Sequence, residues 1–357
     1  MSSLHYYADL IHKIYVEAEL TESPRFRSLR PRLADFPLQV VDSREEIPSG
    51  DLNQHTLYLC RPRGKTVGRC PGSKGHICCN YLTVDLYLGC PLGCAYCIMK
   101  SYLNFAPLTV YLDTRPTIKA IAAIAEGNRD RMLRVGTGEV GDSLLLDPLF
   151  ELSGELIQAL GHYPNLYLEL KTKTHFVDHL LDIKDKGNTV IGFSLNPQSV
   201  IDAYEGTASS LSLRLDAARR ALAAGYLVSF HFDPIIWSAE QEGEYEELLS
   251  ALSGFPGNRI AWISLGTLRY TPELREKLMD EDFLLEEFVP CRDGKYRYIQ
   301  KVRSRIYRRF RERLAEMCGC PVYMCMESGA VWHNAFGNSP REIPGVSDIF
   351  IPARGVK

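Results

Sequence analysis

Six short runs rich in Val, Ile, Leu, Tyr and Phe recur through the middle of this chain, separated by stretches of helical pattern. They are YLTVDLYLG (81–89), RMLRVGTGE (131–139), LYLELKTKT (166–174), TVIGFSLN (189–196), YLVSFHFDP (226–234) and IAWISLGTL (260–268). Several are nearly continuous in apolar residues, as a parallel strand covered on both faces reads. Between them, Leu211, Leu215, Ala218, Leu222 and Ala223 recur at helical spacing. Strand and helix in alternation, joined by right-handed crossovers, predict a parallel α/β fold. Six units suit an open or partial barrel better than a closed eightfold one. A doubly wound sheet has the same periodicity and stays open as the alternative.

The chain has 357 residues, 45% apolar and 24% charged, enough to bury a core of that kind with appendages. Residues 1–80 read as an N-terminal extension and 81–270 as the barrel. Residues 271–357 form a C-terminal region that opens acidic (MDEDFLLEEF) and then turns basic. No run of eighteen apolar residues occurs, and the first twenty residues are charged throughout with no signal-peptide core. A cytoplasmic chain is expected, with cysteines kept reduced as ligands or reactive thiols. The eleven cysteines are odd in number and uneven in spacing, which does not suggest a disulfide framework.

Three of them stand together in YLGCPLGCAYCIM, where Cys90, Cys94 and Cys97 have the spacing C-x3-C-x2-C. Structural zinc wants four ligands, and only Cys78 or Cys79 stands near enough in sequence to add one. A thioredoxin-type pair would leave Cys90 unexplained. A cubane [4Fe–4S] cluster held by three thiolates keeps one iron open to a small chelating ligand. The spacing, placed after a first strand with Tyr96 before the last cysteine, resembles the radical S-adenosylmethionine (radical SAM) superfamily. That resemblance implies a partial (β/α)6 TIM-like barrel with its site at the C-terminal strand ends. It also implies a [4Fe–4S] cluster on Cys90, Cys94 and Cys97, and S-adenosyl-L-methionine as cofactor. Reductive cleavage would give a 5′-deoxyadenosyl radical that takes hydrogen from substrate. By the same resemblance Gly138 and Glu139 would receive the cofactor's ammonium group, Lys173 its carboxylate, and Ser194 and Asn196 its ribose and carboxylate.

A longer likeness narrows the family. GCPLGCAYCIMKSYLN, KTHFVDHLLDIKDKGNTVIGFSLN (173–196) and RLDAARRALAAGYLVSFHFDPI (214–235) resemble the matching segments of spore photoproduct lyase. The likeness covers most of 80–270, is weaker through 271–313, and includes Tyr96 and Asp142. It implies reversal of a methylene-bridged thymine dimer in DNA, with a flavodoxin or ferredoxin as reducing partner. One position departs. The family's hydrogen-donating cysteine follows the second strand, and Glu139 stands there. A carboxylic O–H bond is too strong to give a hydrogen atom to a carbon radical. Cys291, Cys318, Cys320 and Cys325 are the substitute thiols, all read as lying beyond the barrel. The last three could instead bind a second cluster. Cys70, Cys78 and Cys79 have no counterpart in the family, and packing and metal binding both stay open for them.

KYRYIQKVRSRIYRRFRER (295–313) holds nine Lys or Arg against one Glu, with Val302, Ile306, Phe310 and Leu314 forming one apolar stripe. Phosphate binding with aromatic stacking is the functional reading. The competing reading is a packing helix whose arginines pair with the acidic stretch. The resemblance makes Lys295, Tyr296 and Arg297 the nearest equivalents of residues that touch the lesion. A radical SAM enzyme acting on a non-DNA substrate, and a non-enzymatic iron–sulfur binding or sensing module, are the other functional classes.

Overall fold

The computed structural model describes residues 3–102, 107–238, 240–278, 282–284, 287–317, 319–345 and 347–356. Seven parallel strands follow one another in chain order across an open, curled sheet. They are β1 (Leu82–Val84), β2 (Leu133–Thr137), β3 (Leu166–Thr172), β4 (Asn188–Ser194), β5 (Leu227–Ile235), β6 (Ile260–Thr267) and β7 (Val322–Met324). An antiparallel strand, Val67–Arg69, flanks β1. The sheet is the expected partial barrel, and the doubly wound alternative is set aside.

Two details differ from the sequence reading. The first run splits after Val84. Asp85 donates its amide to Thr66, and Tyr87–Leu88 leaves the barrel to pair antiparallel with Leu108–Tyr111. The second detail is β7, which residues 320–325 were not expected to supply. Its three residues are too short for a periodic signal, yet Val322, Tyr323 and Met324 pair with Ile263, Ser264 and Leu265. Cys325 therefore sits at a strand end of the barrel, not beyond it.

The N-terminal region builds a second sheet in the order Leu38–Val41, Lys13–Glu17, Thr56–Cys60, Leu108–Tyr111, Tyr87–Leu88. A third, antiparallel sheet joins Arg269–Tyr270, Tyr296–Tyr298 and Phe288–Pro290. One apolar core runs from Tyr7 through the barrel to Phe350.

Helix α1 (Leu211–Ala223) starts at Ser210, whose hydroxyl caps the Leu213 amide. It buries Leu215, Ala217, Ala218 and Ala221, small residues that let it lie close on the sheet. Helix α2 (Glu242–Ala251) packs against α3 (Gln300–Met317), the basic helix. Ile306, Phe310 and Leu314 of α3 are fully buried, as their spacing predicts. Each contributes about 1.5–3 kcal/mol of apolar burial. A further helix, α4 (Gly329–Phe336), lies on α3 and follows β7. Among the described residues no helix is long and apolar enough to cross a membrane.

Candidate active site

The C-terminal ends of the strands surround one cavity of about 320 Å³. Gly138 and Glu139 enter it after β2, Lys173 at β3, Ser194 at β4, Asp233 on β5, Arg269 after β6 and Cys325 after β7. Cys90, Cys94 and Cys97 form one wall of the cavity.

The cysteine loop is held by its backbone. Gly89 donates to Val140 O, Ala95 to Tyr204 O, and Thr207 to Leu92 O. Gly206 makes that last approach feasible. Its φ is +55°, and a Cβ there would stand 2.0 Å from Leu92 O, so any side chain would push the loop away. Burial pushes the Cys90 thiol up and Cys94 up to about 12. Thiolates at these positions call for a positive centre between them. Three thiols on one wall of an open cavity fit a cluster with one free iron. Among the described residues no three His, Cys, Asp or Glu side chains surround a common point as a single ion requires. A cubane does not need that arrangement, because each thiolate takes a different iron.

Glu205 organises the neighbouring wall. Its Oε1 accepts from Lys173 Nζ at 3.0 Å, Asn196 Nδ2 at 3.0 Å and the Tyr96 hydroxyl. Its Oε2 accepts from Arg214 of α1, which also donates to Ser194 O at 2.8 Å. Burial alone would raise this carboxyl, but Lys173 and Arg214 pull it down to about 2. Asp142 accepts from the amides of Leu144 (3.0 Å), Leu145 (2.9 Å) and Lys173 (2.7 Å), and from Thr172 Oγ1 (2.7 Å). It fastens the loop after β2 to the end of β3.

The floor is a buried polar network. Arg134 grips Glu169 Oε2 through Nε at 2.9 Å and Nη2 at 2.6 Å. His231 meets Glu169 Oε1 at 2.7 Å and Ser264 at 2.6 Å. Arg134 and His231 hold Glu169 well below the usual carboxylate range, against the cost of burying it.

The family model for spore photoproduct lyase matches residues 75–263, more than half of the chain. The chain belongs to the spore photoproduct lyase family. It is 30% identical over 171 residues to a spore photoproduct lyase of a Geobacillus species, covering 48% of this chain and 50% of that one. It is 28% identical over 235 residues to the spore photoproduct lyase of Clostridium acetobutylicum, covering 61% and 68%. The chain thus spans about half the length of the Geobacillus relative. A solved spore photoproduct lyase complexed with dinucleoside spore photoproduct superposes with a TM-score of 0.74 at 22% identity, covering 88% of this chain and 99% of that one. A mutant form with bound AdoMet and the same dinucleoside also gives 0.74 at 22%, covering 88% and 98%. These two structures establish the fold.

Against that family pattern the expected site residues divide. Cys90, Cys94, Cys97, Tyr96, Gly138, Glu139, Asp142, Lys173 and Ser194 all line the cavity. Asn196 does not. Its amide nitrogen meets Glu205 and its oxygen accepts from Tyr245 at 2.9 Å, so it supports Glu205 from beneath. Glu139 faces the cavity but leans on Lys171 at 3.4 Å and Cys70 at 3.9 Å.

The expected substrate residues are already engaged. Arg297 is 1% exposed and forked onto Asp293 at 2.7 and 2.8 Å. Tyr296 stacks on Tyr270, and Lys295 donates to Ser73 at 2.8 Å. They lie on a small sheet or at its edge, not on the basic helix. Among the described residues the arginines of α3 find partners other than the acidic stretch, of which 279–281 and 285–286 lie outside the described residues. Arg303 pairs with Glu327, Arg309 with Glu242 and Glu246, and Arg313 with Glu246 and Glu316. Arg308 and Arg311 cap carbonyls at the end of α4.

Of the substitute thiols, Cys325 lines the cavity, whereas Cys291 sits on a surface turn with its Sγ 3.8 Å from Val289 O. Cys320 precedes β7, and Cys318 lies outside the described residues. The sequence reading missed Glu205, the Arg269–Asp233 pair at 2.9 Å, and the entry of Cys70 and Cys79 into the same cavity. Asp233 closes the FHFD run at a strand end, a position that could have flagged it. Glu205 gives no local signal.

Proposed function

We propose that this chain is a radical SAM lyase that splits a methylene-bridged thymine lesion in DNA. The observation that carries the reading is the meeting of Cys90, Cys94 and Cys97 with Glu139, Lys173 and Ser194 around one strand-end cavity. Relatives named spore photoproduct lyase, and a solved one holding dinucleoside spore photoproduct, support the substrate.

The three thiols would hold a [4Fe–4S] cluster, with S-adenosyl-L-methionine on its open iron. Together these supply a 5′-deoxyadenosyl radical for hydrogen abstraction. This chain's residues bind, orient and shield. Glu139 offers a carboxylate to an ammonium group, a charge-assisted hydrogen bond that is strong in a dry cavity. Lys173, steadied by Glu205, offers a cation to a carboxylate. Ser194 offers a small hydroxyl to the ribose. Leu92, Leu108 and Leu268 on the walls exclude water. A low-potential one-electron donor of the flavodoxin or ferredoxin class and a reducing, cytoplasmic compartment complete the proposal.

Anaerobic reconstitution tests it. We expect about four iron and four sulfide per chain, and 5′-deoxyadenosine formation stimulated by dinucleoside spore photoproduct. Deuterium placed on the lesion's bridging region should enter the 5′-deoxyadenosine. An intact cluster with no stimulation would sink the proposal. A second reading, the same radical chemistry on a non-DNA substrate, is favoured by the paired arginines of α3. Steeply salt-dependent binding of ultraviolet-treated DNA would reject it.

A further inference from the structure

Two further thiols, Cys70 and Cys79, enter the same cavity from a separate loop. Cys70 continues the flanking strand, donating its amide to Tyr81 O at 2.8 Å. The chain then loops out and returns with Cys78 and Cys79. Cys70 and Cys79 line the cavity. Cys78 directly precedes Cys79 on the returning arm of the loop. The Cys70 S–H itself points to Glu139 Oε1, 3.9 Å away. Cys79 also accepts from Arg134 at 3.8 Å.

The loop is clamped from the far end of the chain. Ile77 donates to Glu327 O at 2.8 Å, just after β7, and Lys295 donates to Ser73 at 2.8 Å. These ties give Lys295 a positioning role for the thiol loop.

We propose that Cys70 is the hydrogen-atom donor that quenches a carbon radical formed on the substrate in this cavity. The inference rests on the proposed function and names a further residue for it. Glu139 occupies the end of β2 and cannot serve, since its O–H bond is stronger than the C–H bond it would make. An S–H bond is weaker than that C–H bond, so transfer from Cys70 runs downhill. The Cys70 S–H bond breaks homolytically, one C–H bond forms on the substrate, and the unpaired electron stays on sulfur. One electron from the flavodoxin- or ferredoxin-class donor proposed above and one proton from solvent then restore the Cys70 S–H, so 5′-deoxyadenosine is released and not recycled.

The test uses the reconstituted enzyme and dinucleoside spore photoproduct in deuterated water, where thiol hydrogens exchange. Wild type should place solvent deuterium in the released thymine. Cys70→Ala should still form 5′-deoxyadenosine on substrate, but release repaired dinucleoside at least tenfold less and without solvent deuterium. Cys291→Ala should match wild type. Repaired product from Cys70→Ala with wild-type yield and label would overturn the assignment. Absence of substrate-dependent 5′-deoxyadenosine in wild type would instead remove the proposed function, and this inference with it.

Discussion

Glu205 shows how one carboxylate can hold several functional groups in place. It is fully buried and accepts from Lys173, Asn196, Tyr96 and Arg214. Glu205→Gln would leave Arg214, itself 0% exposed, without its counter-charge. We expect a loss of about 3–5 kcal/mol at pH 7, measured by urea denaturation. The folded carboxyl sits near 2, below its ordinary 4.5. Its contribution is therefore complete above about pH 4.5 and disappears as pH falls toward 2. Wild type should lose stability across that window, and the Gln variant should show a flatter profile there. Gly206→Ala makes a separate prediction. The +55° φ and the 2.0 Å approach to Leu92 O imply a cost of at least about 2 kcal/mol. The cysteine loop would be displaced, seen as reduced iron retention after desalting.

At the scale of elements, α3 is a packing helix whose cationic face is largely tied down. Glu246 takes both Arg309 and Arg313. Glu246→Ala should cost only about 0.2–1 kcal/mol per half-exposed pair, yet strengthen non-specific DNA binding. Its salt dependence should steepen by about one to two counterions, read from binding isotherms between 50 and 200 mM salt. Neutralising Arg309 and Arg313 should scarcely change lesion turnover. The apolar stripe of α3 was legible because burial at Ile306, Phe310 and Leu314 imposes a fixed period. The partners of the arginines were not, because Glu242 and Glu246 reach them through space from α2. The same division applies to the barrel. The five longer strands, β2 to β6, are covered on both faces and so announce themselves. The three residues of β7 are defined by the edge of β6 they meet. In the site, three cysteines within eight residues carry their own spacing, whereas Glu205, Cys70 and Arg269 arrive from separate loops.

For the whole molecule, the cavity joins distant segments of the chain: Cys70, the cysteine loop, the ends of β2 to β6, and Cys325. Deleting β7 should therefore harm more than its three residues suggest. Replacing Met324 with Asp should open the β6 edge and lower both stability and iron retention, measured by thermal denaturation and iron assay.

The closing strand also sets an order of events during synthesis. A chain emerging from the ribosome releases Cys90, Cys94 and Cys97 early, and the stave that walls them in only after the basic helix has been made. Until Val322–Met324 docks, the nascent barrel exposes the Ile263–Leu265 edge as a bare template for mispairing. A half-made copy thus has these thiols on an open side, and the cavity becomes sealable only once residue 324 has been delivered.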